Sequence, residues 1–184
     1  MTSAPRPWIV TRIDGRIASV AADYGRFAEI AKRLAAAGPS SAEAVTTEKI
    51  ATEDLPALDA GTSWEDLRLF GTPFQKKVWK TLYDLTHGQN ALLYSYSDIA
   101  VLCENPLGVR AVAHAVALNP VAYIIPCHLV VPKESMDRSR EIRSRAEDST
   151  LFKGSDLYLL DTLDVGDYAY GPVLKRALIK LQMG

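Results

Sequence analysis

The sequence predicts an α/β protein, with a small N-terminal β-β-α region and a C-terminal helix-turn-helix domain of winged-helix-like build. Three observations carry this expectation. Two short β-branched runs flank Asp14-Gly15, a strong hairpin signal, and a helical pattern follows them. Two short helical patterns, starting at Ser95 and Val109, are separated by the turn residues Glu104 to Gly108. The apolar run Ile124 to Val131 is interrupted by Pro126, Cys127 and His128.

Taken in order, Trp8 to Ile13 reads as a strand and Ile17 to Ala22 as its return. Asp23 can cap a helix running to about Ala37, with Phe27, Ile30, Ala31 and Leu34 on one face, and Gly38-Pro39 stops it. Ser40 to Ser63 is rich in Ala, Thr, Ser, Glu and Asp and reads as a linker or a poorly packed connection. Residues 1–68 are thus expected to form the hairpin, helix and linker, and residues 69–184 the second domain.

Thr72 precedes Pro73, which suits an N-cap followed by proline in the first turn. Phe74, Val78, Leu82 and Leu85 recur at helical spacing up to about Thr86. Lys76, Lys77 and Lys80 make a basic face on this helix, read as a solvated one. Ser95 with Asp98 forms a partial capping box for a helix over Tyr96 to Leu102. A third helix covers Val109 to Leu118. Its polar residues are Arg110 and His114, and Ala111, Ala113, Ala115 and Ala117 are small. A helix that reads the major groove needs several polar side chains for base edges. Small residues suit close backbone approach, as in a narrow groove, or simple core packing.

In the Ile124 to Val131 run, Pro126 ends any regular strand, so Cys127 can sit at a turn. Read alone, Cys127 beside His128 suits either a buried structural cysteine or a thiol with a nearby base, the arrangement that populates the nucleophilic thiolate. Composition narrows the field. A net charge of -1 gives no overall basic signal for nucleic acid, so any such site must be local. Two cysteines cannot build a disulfide framework or a cysteine-rich zinc site. No apolar run is long enough to span a bilayer, and the first residues lack a secretory pattern. The expectation is a cytoplasmic protein with reduced thiols, no metal and no cofactor.

Six ordered motifs resemble those of the O6-alkylguanine-DNA alkyltransferases, the methylated-DNA–protein-cysteine methyltransferases. They are Gly71-Thr72-Pro73-Phe74-Gln75 with Val78-Trp79; Ser95-Tyr96 with Ile99-Ala100; Asn105-Pro106 with Val109-Arg110-Ala111-Val112; Asn119-Pro120; Ile125-Pro126-Cys127-His128 with Val130-Val131; and Val165-Gly166-Asp167-Tyr168 with Lys175. The resemblance implies single-turnover DNA repair: an alkyl group moves irreversibly from O6 of guanine, or O4 of thymine, in double-stranded DNA to Cys127. It implies a monomer acting near the nucleoid, without a cofactor. His128 and Gln182 would relay the thiol proton, with Tyr96 assisting base rotation and donating its hydroxyl. Arg110, Ala111, Ala113 and His114 would meet the minor groove, with Arg110 filling the space of the rotated base. Cys127, Val130, Tyr168 and Ala169 would surround that base, and Asn119 would tie the turn before Cys127. The alternatives are a non-catalytic sensor of alkylated bases, which Cys127 argues against, and a helix-turn-helix regulator, which needs more base-reading side chains.

The sequence departs from the family pattern in three places. Leu129 follows the histidine where the family commonly has arginine, and Gln182 stands where a glutamate usually completes the relay. An amide can accept a hydrogen bond but carries no charge. Losing the cation and the anion together leaves neither unpaired, so the two changes read as linked. A charged insertion, at about residues 133–164, reads as a solvated surface loop, although Asp161 or Asp164 could also replace the missing carboxylate.

Overall fold

The computed structural model describes residues 7–22, 25, 28–30, 32, 44–87, 93–137, 160 and 163–183. Strands β1 (Trp8–Ile13) and β2 (Arg16–Ala21) form the expected hairpin. Its turn residues Asp14 and Gly15 both have positive φ, 49° and 79°, which asparagine-like residues and glycine tolerate. Residues 28–30 are helical, and Phe27, Ala31 and Leu34 of the expected helix lie outside the described residues.

Within the stretch read as a linker, residues 45–50 and 55–60 form regular structure. Val45–Ile50 is a third strand, β3, antiparallel to β1, so the sheet order is β2-β1-β3. Leu55–Ala60 then forms a short helix, α1, that buries Leu55. β3 is an edge strand whose first five residues are all exposed, so it carries no apolar alternation for a sequence reading to detect. Its β-branched residues, Val45, Thr46, Thr47 and Ile50, were the available signal.

The second half follows the expected helices closely. Helix α2 is Pro73–His87, and its cap is reciprocal: the Gln75 amide donates to Thr72 Oγ1 at 3.2 Å, and the Thr72 amide donates to Gln75 Oε1 at 2.9 Å. Helix α3 is Tyr96–Leu102, and Ser95 and Asp98 complete the full capping box. Helix α4 is Val109–Ala117, and helix α5 is Pro172–Met183. Among the basic residues of α2, Lys77 pairs with Glu104 and Lys80 with Asp84, both at the surface. Exposed pairs of this kind are worth little, so the face is the solvated one expected.

One hydrophobic core joins the two halves. It holds Trp8, Val10, Ile17 and Val20 from the N-terminal sheet together with Val78, Trp79, Ile99, Val112, Val116 and Ile124. The sheet is also tied on by backbone bonds. The Val20 amide donates to Pro120 O at 3.0 Å, and the Ala122 amide donates to Val20 O at 3.1 Å. Among the described residues no helix is long and apolar enough to cross a membrane.

Candidate active site

Cys127 opens a single 3-10 turn, Cys127–Leu129, followed at once by β5 (Val130–Val131). The run Ile124 to Val131 is therefore buried, and the turn that Pro126 allows is where the cysteine lies. Tyr94–Ser95, strand β4, pairs in parallel with β5, matching Tyr94 with Val130 and Ser95 with Val131. That short ladder sets the start of α3, and hence Tyr96, beside the cysteine turn. Asn119 braces the turn from the other side: its Nδ2 donates to Ile125 O at 2.8 Å, and the Val121 amide donates to its Oδ1 at 3.0 Å.

A cavity of about 280 Å³ opens beside Cys127. Its walls include Tyr96, Asn119, Cys127, Tyr168, Ala169 and Tyr170. Pockets for small molecules start at about 300 Å³, so this one suits a single ring system with a small substituent rather than an extended ligand. Tyr168 Oη lies 3.7 Å from Cys127 Sγ. Burial raises the pKa of Tyr96, and negative charge at Cys127 and Asp167 adds to this, so its hydroxyl stays a proton donor.

His128 is completely buried. Its ring stacks on Tyr123, with centroids 5.5 Å apart and planes at 11°. Tyr123 itself has a φ of 74°, a conformation that costs a non-glycine residue about 1–3 kcal/mol and persists only where the surroundings enforce it. Burial pushes the His128 pKa down to about 3; contact with the Gln182 amide works against this, and the charge on Lys175 adds to it. Among the described residues, neither ring nitrogen nor Gln182 Oε1 has a partner in ordinary hydrogen-bond geometry. The amide therefore lies near enough to favour the protonated ring without closing a hydrogen bond to it. Asp164 does not replace the missing carboxylate, because its Oδ1 accepts from the Gly166 amide at 2.9 Å and its side chain is exposed. Asp161 lies outside the described residues.

Leu129 sits in a separate apolar cluster with Val131, Leu163, Val165 and Ile179 of α5. Lys175 is the buried cation of the site. Its Nζ donates to Val130 O at 2.7 Å and to Val165 O at 2.5 Å, joining the cysteine turn to the 165–171 loop. Burial lowers its pKa to about 8, while Cys127, Asp164 and Asp167 favour the charged form. On α4, Arg110, Ala111, His114 and Ala117 are exposed, Ala113 is half-buried, and Val112, Ala115 and Val116 face the core. Arg110 and His114 therefore share one exposed face.

Reading the sequence alone missed Trp8, Tyr123 and Tyr170 as neighbours of the site. Tyr170 stands two residues from Tyr168 in a short loop, which was the available signal. Nothing local marked Trp8 or Tyr123.

The state of His128 makes acid stability a test of this geometry. Its folded pKa, about 3, is below the ordinary 6.5, so as pH falls the unfolded chain takes up the proton first. The stability linked to it is present above pH 6.5 and is lost between about 6.5 and 3. The full displacement corresponds to about 5 kcal/mol. Urea unfolding at pH 7 and at steps down to pH 4 should show a steep decline, and His128→Phe should flatten it. An equal slope in both proteins would mean that His128 is not held neutral.

Residues 73–147 match the family model for the DNA-binding domain of 6-O-methylguanine DNA methyltransferases. Over that segment the chain is similar to the O6-alkylguanine-DNA alkyltransferases that its motifs resemble. A probable methylated-DNA–protein-cysteine methyltransferase of Acanthamoeba polyphaga mimivirus is 51% identical over 70 residues, 38% of this chain and 45% of that protein. The constitutive methylated-DNA–protein-cysteine methyltransferase of Bacillus subtilis is 43% identical over 65 residues, 35% of this chain and 38% of that protein. The chain thus spans less than half the length of these curated relatives. The fold is similar to that of the O6-methylguanine-DNA methyltransferase of Pyrococcus kodakaraensis, with a TM-score of 0.60 at 22% identity, covering 99% of this chain and 95% of that one.

Proposed function

We propose that this protein repairs DNA by transferring an alkyl group from O6 of guanine to Cys127. The observation that supports it best is the placement of the Cys127 thiol in a pocket of single-base size, between Tyr96 at the start of the helix-turn-helix and the loop carrying Tyr168 and Ala169. A base must leave the duplex to reach such a pocket. In this reading α4 lies in the minor groove, where Ala111 and Ala113 permit close approach and His114 contacts the backbone. Arg110 fills the space that the base vacates.

The chemistry is a direct displacement. The Cys127 sulfur attacks the alkyl carbon, the carbon–O6 bond breaks, and its electron pair passes to O6. In this reading His128 takes the thiol proton; burial, which lowers its pKa to about 3, opposes this, and Gln182 favours the charged ring that results. Tyr96 donates its hydroxyl to the ring of the departing guanine. The Ala169 amide faces O6, and the Cys127 and Val130 carbonyls face the exocyclic amine. Val130 O already accepts from Lys175, which leaves one lone pair for the base. Asn119 and Lys175 hold the cysteine turn in register with the loop. The thioether is stable, so each molecule acts once.

Single turnover is directly measurable. With methylated duplex in excess, restored guanine should reach one equivalent of protein and stop, and Cys127→Ala should restore none. Continued turnover, or repair by the alanine variant, would rule the reading out.

A further inference from the structure

The wall of the pocket facing the thiol reaches back into the N-terminal sheet. Tyr168 Oη stands 3.7 Å from Cys127 Sγ. The Tyr168 ring meets Tyr170 edge-on, with centroids 5.4 Å apart and planes at 73°. Tyr170 meets Trp8 in the same way, at 5.7 Å and 71°. Trp8 is only 1% exposed. It begins β1, pairs with Ile50 of β3, and its indole donates to Thr52 Oγ1 at 3.2 Å. The loop with the two tyrosines lies between Gly166 and Gly171, with φ of 72° and 84°. Glycines at positive φ put no side chain of their own against the tyrosines. Lys175 Nζ lies 5.7 Å from the Tyr168 ring centre, and the Tyr170 ring rests on Trp8.

We propose that Trp8 is a positioning residue that sets the size of alkyl group the pocket accepts, by holding Tyr170 and, through it, Tyr168 beside the Cys127 sulfur. This rests on the alkyl-transfer reading above. An alkyl carbon must approach the sulfur along the side that Tyr168 borders. A methyl group fits without moving that ring. A benzyl group must push Tyr168 toward Tyr170, and Tyr170 cannot retreat because Trp8 is fixed in the sheet. The sheet is itself anchored to the far wall of the same pocket by the Val20 bonds to Pro120 and Ala122. Both sides of the cavity are thus referenced to the N-terminal sheet.

The test uses the full chain and two duplexes of one sequence, carrying O6-methylguanine or O6-benzylguanine, and reads the ratio of transfer rates. Wild type should favour methyl. Trp8→Leu should narrow the ratio by about tenfold, the scale on which pocket size discriminates, and Trp8→Phe should restore it. Tyr170→Ala, at a half-buried loop position, should narrow it in the same way and leaves the sheet intact should Trp8→Leu fold poorly. A ratio unchanged by both Trp8→Leu and Tyr170→Ala, or one relaxed by Tyr170→Ala but left unchanged by a folded Trp8→Leu, would overturn the proposal. If wild type transferred neither group, the alkyl-transfer reading itself would fall, and the proposal with it.

Discussion

Arg110→Ala should slow transfer from duplex DNA by about two powers of ten, because extruding a paired base costs a few kcal/mol and the side chain proposed to fill its place is gone. The same lesion in an unpaired strand needs no such replacement. Transfer from a single-stranded oligonucleotide should therefore change little. Arg110 is exposed on α4 and takes no part in the core that Val112, Ala115 and Val116 build, so the substitution should leave stability nearly unchanged. Comparing rates on the paired and unpaired lesion separates the roles. Equal loss on both would show that Arg110 serves the fold or the chemistry rather than base rotation.

The second large effect concerns Leu129 and Gln182. Ile179 of α5 lies in the apolar cluster around Leu129, and Met183 packs against that cluster. Gln182, three residues after Ile179, lies on the neighbouring part of the same helix face, with its Oε1 buried. Gln182→Glu would place a buried carboxylate there beside a His128 that burial holds neutral. Leu129→Arg would place an unpaired cation among Val131, Leu163 and Ile179. Each single change should cost about 3–5 kcal/mol, as uncompensated buried charges do. The double variant should cost much less than their sum, and urea unfolding of all four proteins reads the coupling. Simple additivity would show that the two departures from the family pattern are unrelated. Gln182→Glu should also raise the pKa of His128 from about 3, since an anion favours the imidazolium, and so speed transfer near neutral pH.

Much of this was legible because local chemistry agreed with the fold. Asp14-Gly15, Thr72 with Gln75, and Ser95 with Asp98 are turn and cap signals; the hairpin turns, and α2 and α3 begin, where those signals stand. Pro126 marked the turn at Cys127. β3 escaped because an exposed edge strand keeps no apolar face, and its polar residues look like a linker. The tertiary parts of the site had no local signal at all. Trp8 reaches Tyr170 only because β1 is the central strand of a sheet tied to the 120–122 segment. Tyr123 is held at positive φ by packing that its own sequence neighbourhood does not announce. Lys175 was visible only as part of a motif, while its two carbonyl bonds depend on how α5 closes over the cysteine turn.

The central claim is that Cys127 accepts the alkyl group, and peptide mass mapping after incubation with a duplex containing O6-methylguanine tests it most directly. The protein has one other cysteine, Cys103, which is buried at the end of α3 with its thiol 3.5 Å from Thr81 Oγ1. The expected result is one added methyl on the peptide carrying Cys127, none on the peptide carrying Cys103, and an oligonucleotide restored to guanine. An unmodified protein beside a fully retained lesion, or a methyl found on Cys103, would contradict it.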